Sequence, residues 1–584
     1  MKRHSRRATI AAVLAQPAAP REIARLSRRT GRPHTDVHRE LRQCLREMAA
    51  GHGRRWTRAF GRIMEWLLTD TWEVHCPEPQ RETVRRLAAG GGVVFLPCHR
   101  AHTDPLFLSR ALRGCGLPRN LWIAGDNLRV PVLASPARRA GVLFLRRRCA
   151  TDEVYRTALR LYLRYLLERG QPVEWYQEGS RSRNGLIQPP RHGLLTDTLA
   201  ALRRDTAPRV WFVPVSLTHT PVPDAVELAA EEDGLPKRPE SLRWFLRYVR
   251  EHRGAAGRVE VRFGTPLEAG PYVEAAEDDP GTAARTLGQD VNRALCRSAP
   301  VTAEALTAFA VAAGRTGGSV RDVHHRLQPL LDTVARSDAP TAGVEVLRDT
   351  EGVRVTLHRL RAAGAVSMTA DGDEAVFHAV RRITAMYGNQ CVHWLWPRAV
   401  AEVAALRACT VPPSFAWMNA VQRLRSLVEL VTCGTGLGTD PFLLATAVVE
   451  LERLTAPCDD PEAPWTFRAG LPGAGALIAP DVLRGPVTVQ LAAFRRLGLR
   501  PRGRDLPGAP APDTSPPGGR AESDSPRLYR AMLLDAERQG FGGMGREKAL
   551  RRAGRTVRLR ELLDDLAALE RLADEPVNGD GGRR

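Results

Sequence analysis

The sequence predicts an α/β layer fold over residues 86–300, flanked by helical stretches, on three observations. Short apolar runs bounded by glycine, proline and polar residues recur at 92–97, 121–125, 142–145, 172–177, 210–216 and 258–264. A segment of helical period separates the third run from the fourth, with Tyr155, Leu159, Tyr162, Leu163 and Leu166 on one face. Polar turns or clusters follow the runs. Such alternation buries a sheet under helices and leaves chemistry to the loops at the strand ends.

Residues 1–85 read as a helical N-terminal region. Within it Trp56 to Leu68 is amphipathic, with arginines on its polar side, which fits either a bilayer surface or packing on the next domain. Residues 301–500 read as a helical C-terminal domain, from Ala-rich and Leu-rich segments such as 302–313 and 440–454. Residues 501–527 have the Pro, Gly and Ser content of a disordered linker, and 528–584 form a charged helical tail. At 584 residues the chain exceeds one core. Lysine plus arginine outnumber aspartate plus glutamate by 86 to 65, a formal charge of +21, so an anionic partner is expected. Nucleic acid is not the expected one, because no recognition motif accompanies the charge. The ten cysteines form no Cys-x-x-Cys pair, which argues against a zinc ribbon or a disulfide framework. The basic start of the chain is followed by too mild an apolar run for a signal peptide, and no 18-residue apolar span is present, so membrane contact is expected to be peripheral.

The densest chemistry lies after the first apolar run, in Pro97-Cys98-His99-Arg100-Ala101-His102-Thr103-Asp104. A neutral histidine takes a proton from a hydroxyl near neutral pH, and a carboxylate on its other nitrogen fixes the tautomer. On one continuous helix residues five apart would point about 140° away from each other. Asp104-Pro105 reads as the N-cap and first turn of a helix through Leu106, Phe107, Leu108 and Leu112, which leaves His99 in a loop that Asp104 can face. The competing reading makes Asp104 a cap only. Three more polar clusters follow: Gly125 to Pro131, the paired arginines after Gly141 to Leu145, and Glu178-Gly179-Ser180-Arg181-Ser182-Arg183. Arginine suits a phosphate monoester because its planar fork donates two charge-assisted hydrogen bonds, so Arg147, Arg181 and Arg183 are candidates for a clamp. Glycine lets backbone approach a ligand beside the Ser and Arg donors.

In order, these segments resemble the glycerol-3-phosphate acyltransferase family of the H-x-x-x-x-D glycerolipid acyltransferases. The matching blocks are His99 to Asp104, Gly141 to Arg147, Glu178 to Arg181, and Phe212 to Val215. The extension Ser182-Arg183-Asn184-Gly185, with Ala124 to Leu128, points to the glycerol-3-phosphate or dihydroxyacetone-phosphate branch, and Tyr387 to His393 resembles a segment of the long bacterial and mitochondrial members. Tyr176 stands where a phenylalanine is usual, and Pro105 where an aromatic residue often follows the aspartate.

The resemblance implies the glycerolipid acyltransferase fold, a layered and mostly parallel sheet flanked by helices. It also implies that His99 deprotonates the sn-1 hydroxyl of glycerol 3-phosphate, which attacks the thioester of acyl-CoA or acyl-carrier protein, while Asp104 orients the imidazole. Arg181 and Arg183, supported by Arg147, would hold the phosphate, and Glu178, Gly179 and Ser180 would shape that pocket. The product would be lysophosphatidic acid for phospholipid synthesis, at the cytoplasmic face of the cell membrane. No cofactor or metal is expected. Dihydroxyacetone phosphate and 1-acylglycerol 3-phosphate remain alternative acceptors, and a catalytically idle membrane-binding scaffold is the alternative of another class.

Overall fold

The computed structural model describes residues 6–50, 54–117, 120–126, 131–146, 151–202, 209–314, 317–371, 374–408, 413–432, 435–438, 440–457, 465–467, 478 and 482–483. The expected linker and tail at 501–584 lie outside the described residues, as does Arg147. The chain divides into two compact units. One comprises residues 1–182, 190–224 and 236–300, and the other 183–189, 225–235 and 301–584.

The first unit is built on a mixed sheet of eight strands among the described residues: β1 (Trp72–His75), β2 (Gly92–Pro97), β3 (Leu121–Gly125), β4 (Val142–Leu145), β5 (Val173–Glu174), β6 (Val210–Thr220), β7 (Gly257–Phe263) and β8 (Leu267–Glu268). Their order is β1-β7-β6-β2-β5-β3-β4, with β8 beside β6. The run β6-β2-β5-β3-β4 is parallel throughout, and β7 joins β6 antiparallel. The fold is therefore the mostly parallel α/β sheet expected. The helices that return the chain between its strands span Asp104–Gly114, Pro131–Arg139, Glu153–Glu168 and His192–Leu202.

Local chemistry accounts for the central elements. Every residue of β2 is buried, the continuous apolar run of a parallel strand covered on both faces. Chain and neighbour are close at its start: a β-carbon on Gly91 would come within 2.0 Å of the Arg209 carbonyl oxygen, so only glycine fits. Asp152 caps the helix Glu153–Glu168 by accepting from Tyr155 N at 2.9 Å. The five residues read as its apolar face, Tyr155 to Leu166, are all buried.

Three differences from the sequence reading matter. β5 is shorter than 172–177, and β6 runs on to Thr220. β1 lies inside the stretch read as helical, where it pairs in parallel with β7. The amphipathic helix, observed as Arg54–Leu68, packs Met64, Leu67 and Leu68 with Leu106, Tyr248 and Trp244, while Ile63 and Trp66 remain exposed.

The second unit is mainly helical in its described part, with a hairpin of Val366–Asp371 and Glu374–Ala379. Here the two outlying segments of the resemblance meet. Asn389 Nδ2 donates to the Asn184 carbonyl at 2.8 Å, and a β-carbon on Gly185 would lie 2.3 Å from the Met386 carbonyl oxygen.

Candidate active site

The carboxyl ends of β2 and β5, neighbours at the centre of the parallel sheet, carry the site. Beyond Pro97 the chain turns through a loop into the helix that begins at Asp104. Thr103, not Asp104, occupies the N-cap position. The carboxylate of Asp104 turns back into the loop, where a single oxygen, Oδ2, accepts from Arg100 N at 2.7 Å, Ala101 N at 2.9 Å and His99 Nδ1 at 3.0 Å. Asp104 is thus no mere cap: its charge organises the loop that presents His99.

The other oxygen, Oδ1, stands 3.1 Å from Nε2 of His219, a fully buried residue of β6. Burial alone would raise the pKa of Asp104, but the bonds and charge of His219 and His99 overcome it and hold the carboxyl well below its usual range. It is held as an anion near neutral pH. The Asp104 side chain is 0% exposed and that of His99 19%, so the carboxylate is sealed while the imidazole reaches solvent. With Nδ1 committed to Asp104, Nε2 is the nitrogen left for a substrate proton.

The Glu178 block reaches the same place by way of the backbone. Glu178 Oε1 accepts from His99 N at 3.0 Å, and Ser182 N donates to His99 O at 2.7 Å. Glu178, expected to shape a phosphate pocket, also holds the loop that carries His99. Gly179 supplies a left-handed turn at φ +69°, and a β-carbon there would lie 2.5 Å from Arg191 Cδ. Ser180 follows it, partly buried.

Arg181 is buried, and its guanidinium meets Asp224 Oδ2 at 2.8 Å. Asp224 also accepts from His102 N at 2.9 Å and from Tyr248 OH at 2.9 Å. Burial pulls against its ionisation, but the charge of Arg181 and the hydrogen bond from the His102 backbone prevail and lower its pKa. His102 packs edge-on against Trp244 and Tyr248, and burial, helped by Arg181, pushes its pKa down to about 3. It is a neutral packing residue. Arg183 belongs to the second unit, where Glu231 Oε2 takes its Nε at 2.7 Å. Arg181 and Arg183, both expected at the acceptor phosphate, each make a buried ion pair with a carboxylate of their own unit.

Asp224, His219, Glu174 and Asn120 were missed by sequence reasoning. Glu174 and His219 each stand inside or beside an apolar run, and a polar residue in such a run was the available signal. Asp224, in a proline-rich turn, gave none.

Both units of the chain contain stretches that match known families. Residues 73–218 match the family model described as Acyltransferase, and residues 229–432 match that of the glycerol-3-phosphate acyltransferase C-terminal region. The chain is 31% identical over 471 residues to the putative acyltransferase plsB1 of Mycobacterium tuberculosis, covering 78% of this chain and 75% of that protein. Over 198 residues it is 35% identical to the glycerol-3-phosphate acyltransferase of Pseudomonas fluorescens, covering 34% of this chain and 24% of that one. With a buried carboxylate orienting a solvent-reaching histidine at the sheet's carboxyl edge, and both domains matched in order, the chain belongs to the PlsB-like glycerol-3-phosphate acyltransferases, a family of O-acyltransferases.

Proposed function

We propose that this protein transfers a fatty acyl group from a thioester, acyl-CoA or acyl-carrier protein, to the sn-1 hydroxyl of glycerol 3-phosphate. The observation that carries the reading is the bond from His99 Nδ1 to Asp104 Oδ2, with Asp104 buried and His99 open. His99 Nε2 takes the hydroxyl proton as that oxygen attacks the thioester carbon. The C–O bond forms, the C–S bond breaks, and the imidazolium returns its proton to the leaving thiolate. Asp104 stabilises the imidazolium in between, and no acyl-enzyme is required. Arg181, held in place by Asp224, is the arginine of the first unit assigned to the acceptor phosphate.

The test measures thiol release from palmitoyl-CoA by the protein and its His99→Ala variant, with glycerol 3-phosphate, dihydroxyacetone phosphate or 1-acylglycerol 3-phosphate supplied and the product weighed by mass spectrometry. Release that needs glycerol 3-phosphate and disappears in the variant supports the assignment. Release with another acceptor reassigns the substrate, and none with either thioester donor returns the chain to an idle scaffold.

We also infer peripheral attachment to an anionic membrane, at its cytoplasmic face. No helix among the described residues is long and apolar enough to cross one. The support is a pair of packed helices, Arg54–Leu68 and Leu242–His252, that expose Ile63 (54%), Trp66 (55%) and Leu246 (60%) among the exposed Arg62, Arg243 and Arg250. Sedimentation with phosphatidylglycerol vesicles, lost in a Trp66→Glu, Leu246→Glu double variant, is the expected result. Unchanged sedimentation would remove these helices from the contact.

A further inference from the structure

We propose that Tyr176 is a positioning residue for His99: its ring bears on the imidazole while its hydroxyl is pinned by the buried carboxyl group of Glu174. The proposal rests on His99 being the general base.

Three contacts make the device. The Tyr176 and His99 ring centroids are 4.1 Å apart with planes tilted by 32°, so the phenol covers one face of the imidazole. Tyr176 OH donates to Glu174 Oε1 at 2.8 Å, across two residues of an extended segment whose side chains share a face. Glu174 itself is 1% exposed, flanked in the sheet by Phe95 of β2 and Trp122 of β3, and its second oxygen is met by the side-chain amide of Asn120.

Glu174 carries no ion pair among the described residues, and the charged group it feels is Asp104, also negative. A carboxyl so placed stays protonated; burial pushes its pKa up to about 8. The neutral acid has a proton to donate, and Asn120 Oδ1 is buried with no hydrogen-bond partner among the described residues. Turning the Asn120 amide over, a choice that hydrogen bonding rather than atom position decides, lets Oδ1 accept that proton. The Tyr176 hydroxyl and both oxygens of the Glu174 carboxyl group are then used.

The arrangement answers a mechanical need. A single bond from Nδ1 to Asp104 leaves the imidazole free to rock about that bond, and a ring held against one face restricts the rocking. An ionised Glu174 would supply the same anchor but would set a second negative charge near Asp104. The hydroxyl pin is a feature of this chain, since the phenylalanine usual at this position would keep the ring and lose the pin.

Steady-state assays of Tyr176→Phe, Tyr176→Leu, Glu174→Gln and Glu174→Ala, with His99→Ala alongside and thermal melting as the folding check, decide the matter. Tyr176→Leu should lower kcat by about tenfold to a hundredfold with KM for the acceptor nearly unchanged, since misplacing a reacting group taxes turnover. Tyr176→Phe should fall between it and the wild type. Glu174→Gln, which copies the neutral acid, should stay within about twofold of wild type, whereas Glu174→Ala should match Tyr176→Phe or fall below it. Wild-type kcat in both Tyr176 variants, or a Glu174→Gln as impaired as Glu174→Ala, overturns the proposal. Should Glu174→Ala not fold, the conservative Gln and Phe variants still decide it. The two readings fail separately: turnover surviving His99→Ala removes the base itself, while normal Tyr176 variants beside a dead His99→Ala remove only the positioning.

Discussion

Asp104 and Asp224 are both buried aspartates of the same unit, yet they do opposite work. Asp104 gathers backbone N–H groups and an imidazole that reaches solvent. Asp224 gathers Arg181, Tyr248 and the His102 backbone, with the side chains of both ion-pair partners buried. The difference teaches that burial of the carboxylate does not mark a reactive site. What marks it is whether the partner's second face is left open.

Four experiments break or sharpen that contrast. The largest effect is expected at the open pair. His99→Ala or Asp104→Ala should reduce turnover by about 10²–10⁴-fold, the usual worth of general-base help, with substrate binding largely kept. Because Asp104 stays ionised below the usual carboxylate range, its protonation should not set the acid limb of the rate profile near pH 5. Rate loss that followed Asp104 titration in that region would contradict the sealed anion described here.

At the closed pair the loss should appear in stability first. Asp224→Ala takes the Asp224 counter-charge from buried Arg181, a change worth up to about 3–5 kcal/mol, readable in chemical denaturation. An Asp224→Ala protein as stable as wild type would show that Arg181 has another way to stay buried.

Third comes Glu174, a buried carboxyl with no cation. Its folded pKa, about 8, lies above the unfolded value of 4.5, so the native state binds the proton more tightly. The stability this gives is complete below pH 4.5, declines as pH rises, and is gone above about 8. Melting temperature should therefore fall between pH 5 and 8 more steeply in the wild type than in Glu174→Gln. Parallel curves would mean that Glu174 is ionised in the fold.

The smallest effect belongs to Glu178→Ala. It removes one hydrogen bond to the His99 backbone, worth about 1 kcal/mol, and so should slow turnover roughly five- to tenfold. Restoration in Glu178→Gln, which keeps the acceptor oxygen, would confirm that the group acts as a tether and not through charge.

What the sequence revealed and what it withheld follow from range. The strands at 92–97, 121–125 and 142–145 are legible to the residue because each is a short apolar run bounded by turn residues, and in β2 burial on both faces leaves that run unbroken. The His99–Asp104 pair was legible because its partners are five residues apart. β6 reads short because Thr218 and His219 look like a strand's end; His219 packs against Trp72 and Phe107, more than a hundred residues earlier. Arg181 and Arg183 invited one assignment by adjacency, while their carboxylates, Asp224 and Glu231, lie over forty residues away. Local spacing recovers what neighbours decide, and long-range charge pairing has no local trace.

The double tether on His99 also bears on how the molecule can be altered. Glu178 grips the His99 amide and Ser182 its carbonyl, so the loops after β2 and β5 are one mechanical part supplied by two stretches of chain. A loop exchange that imports the histidine block of a relative and leaves the Glu178 block behind would splice two halves cut to different lengths. Recombination within this family should succeed when both loops travel together.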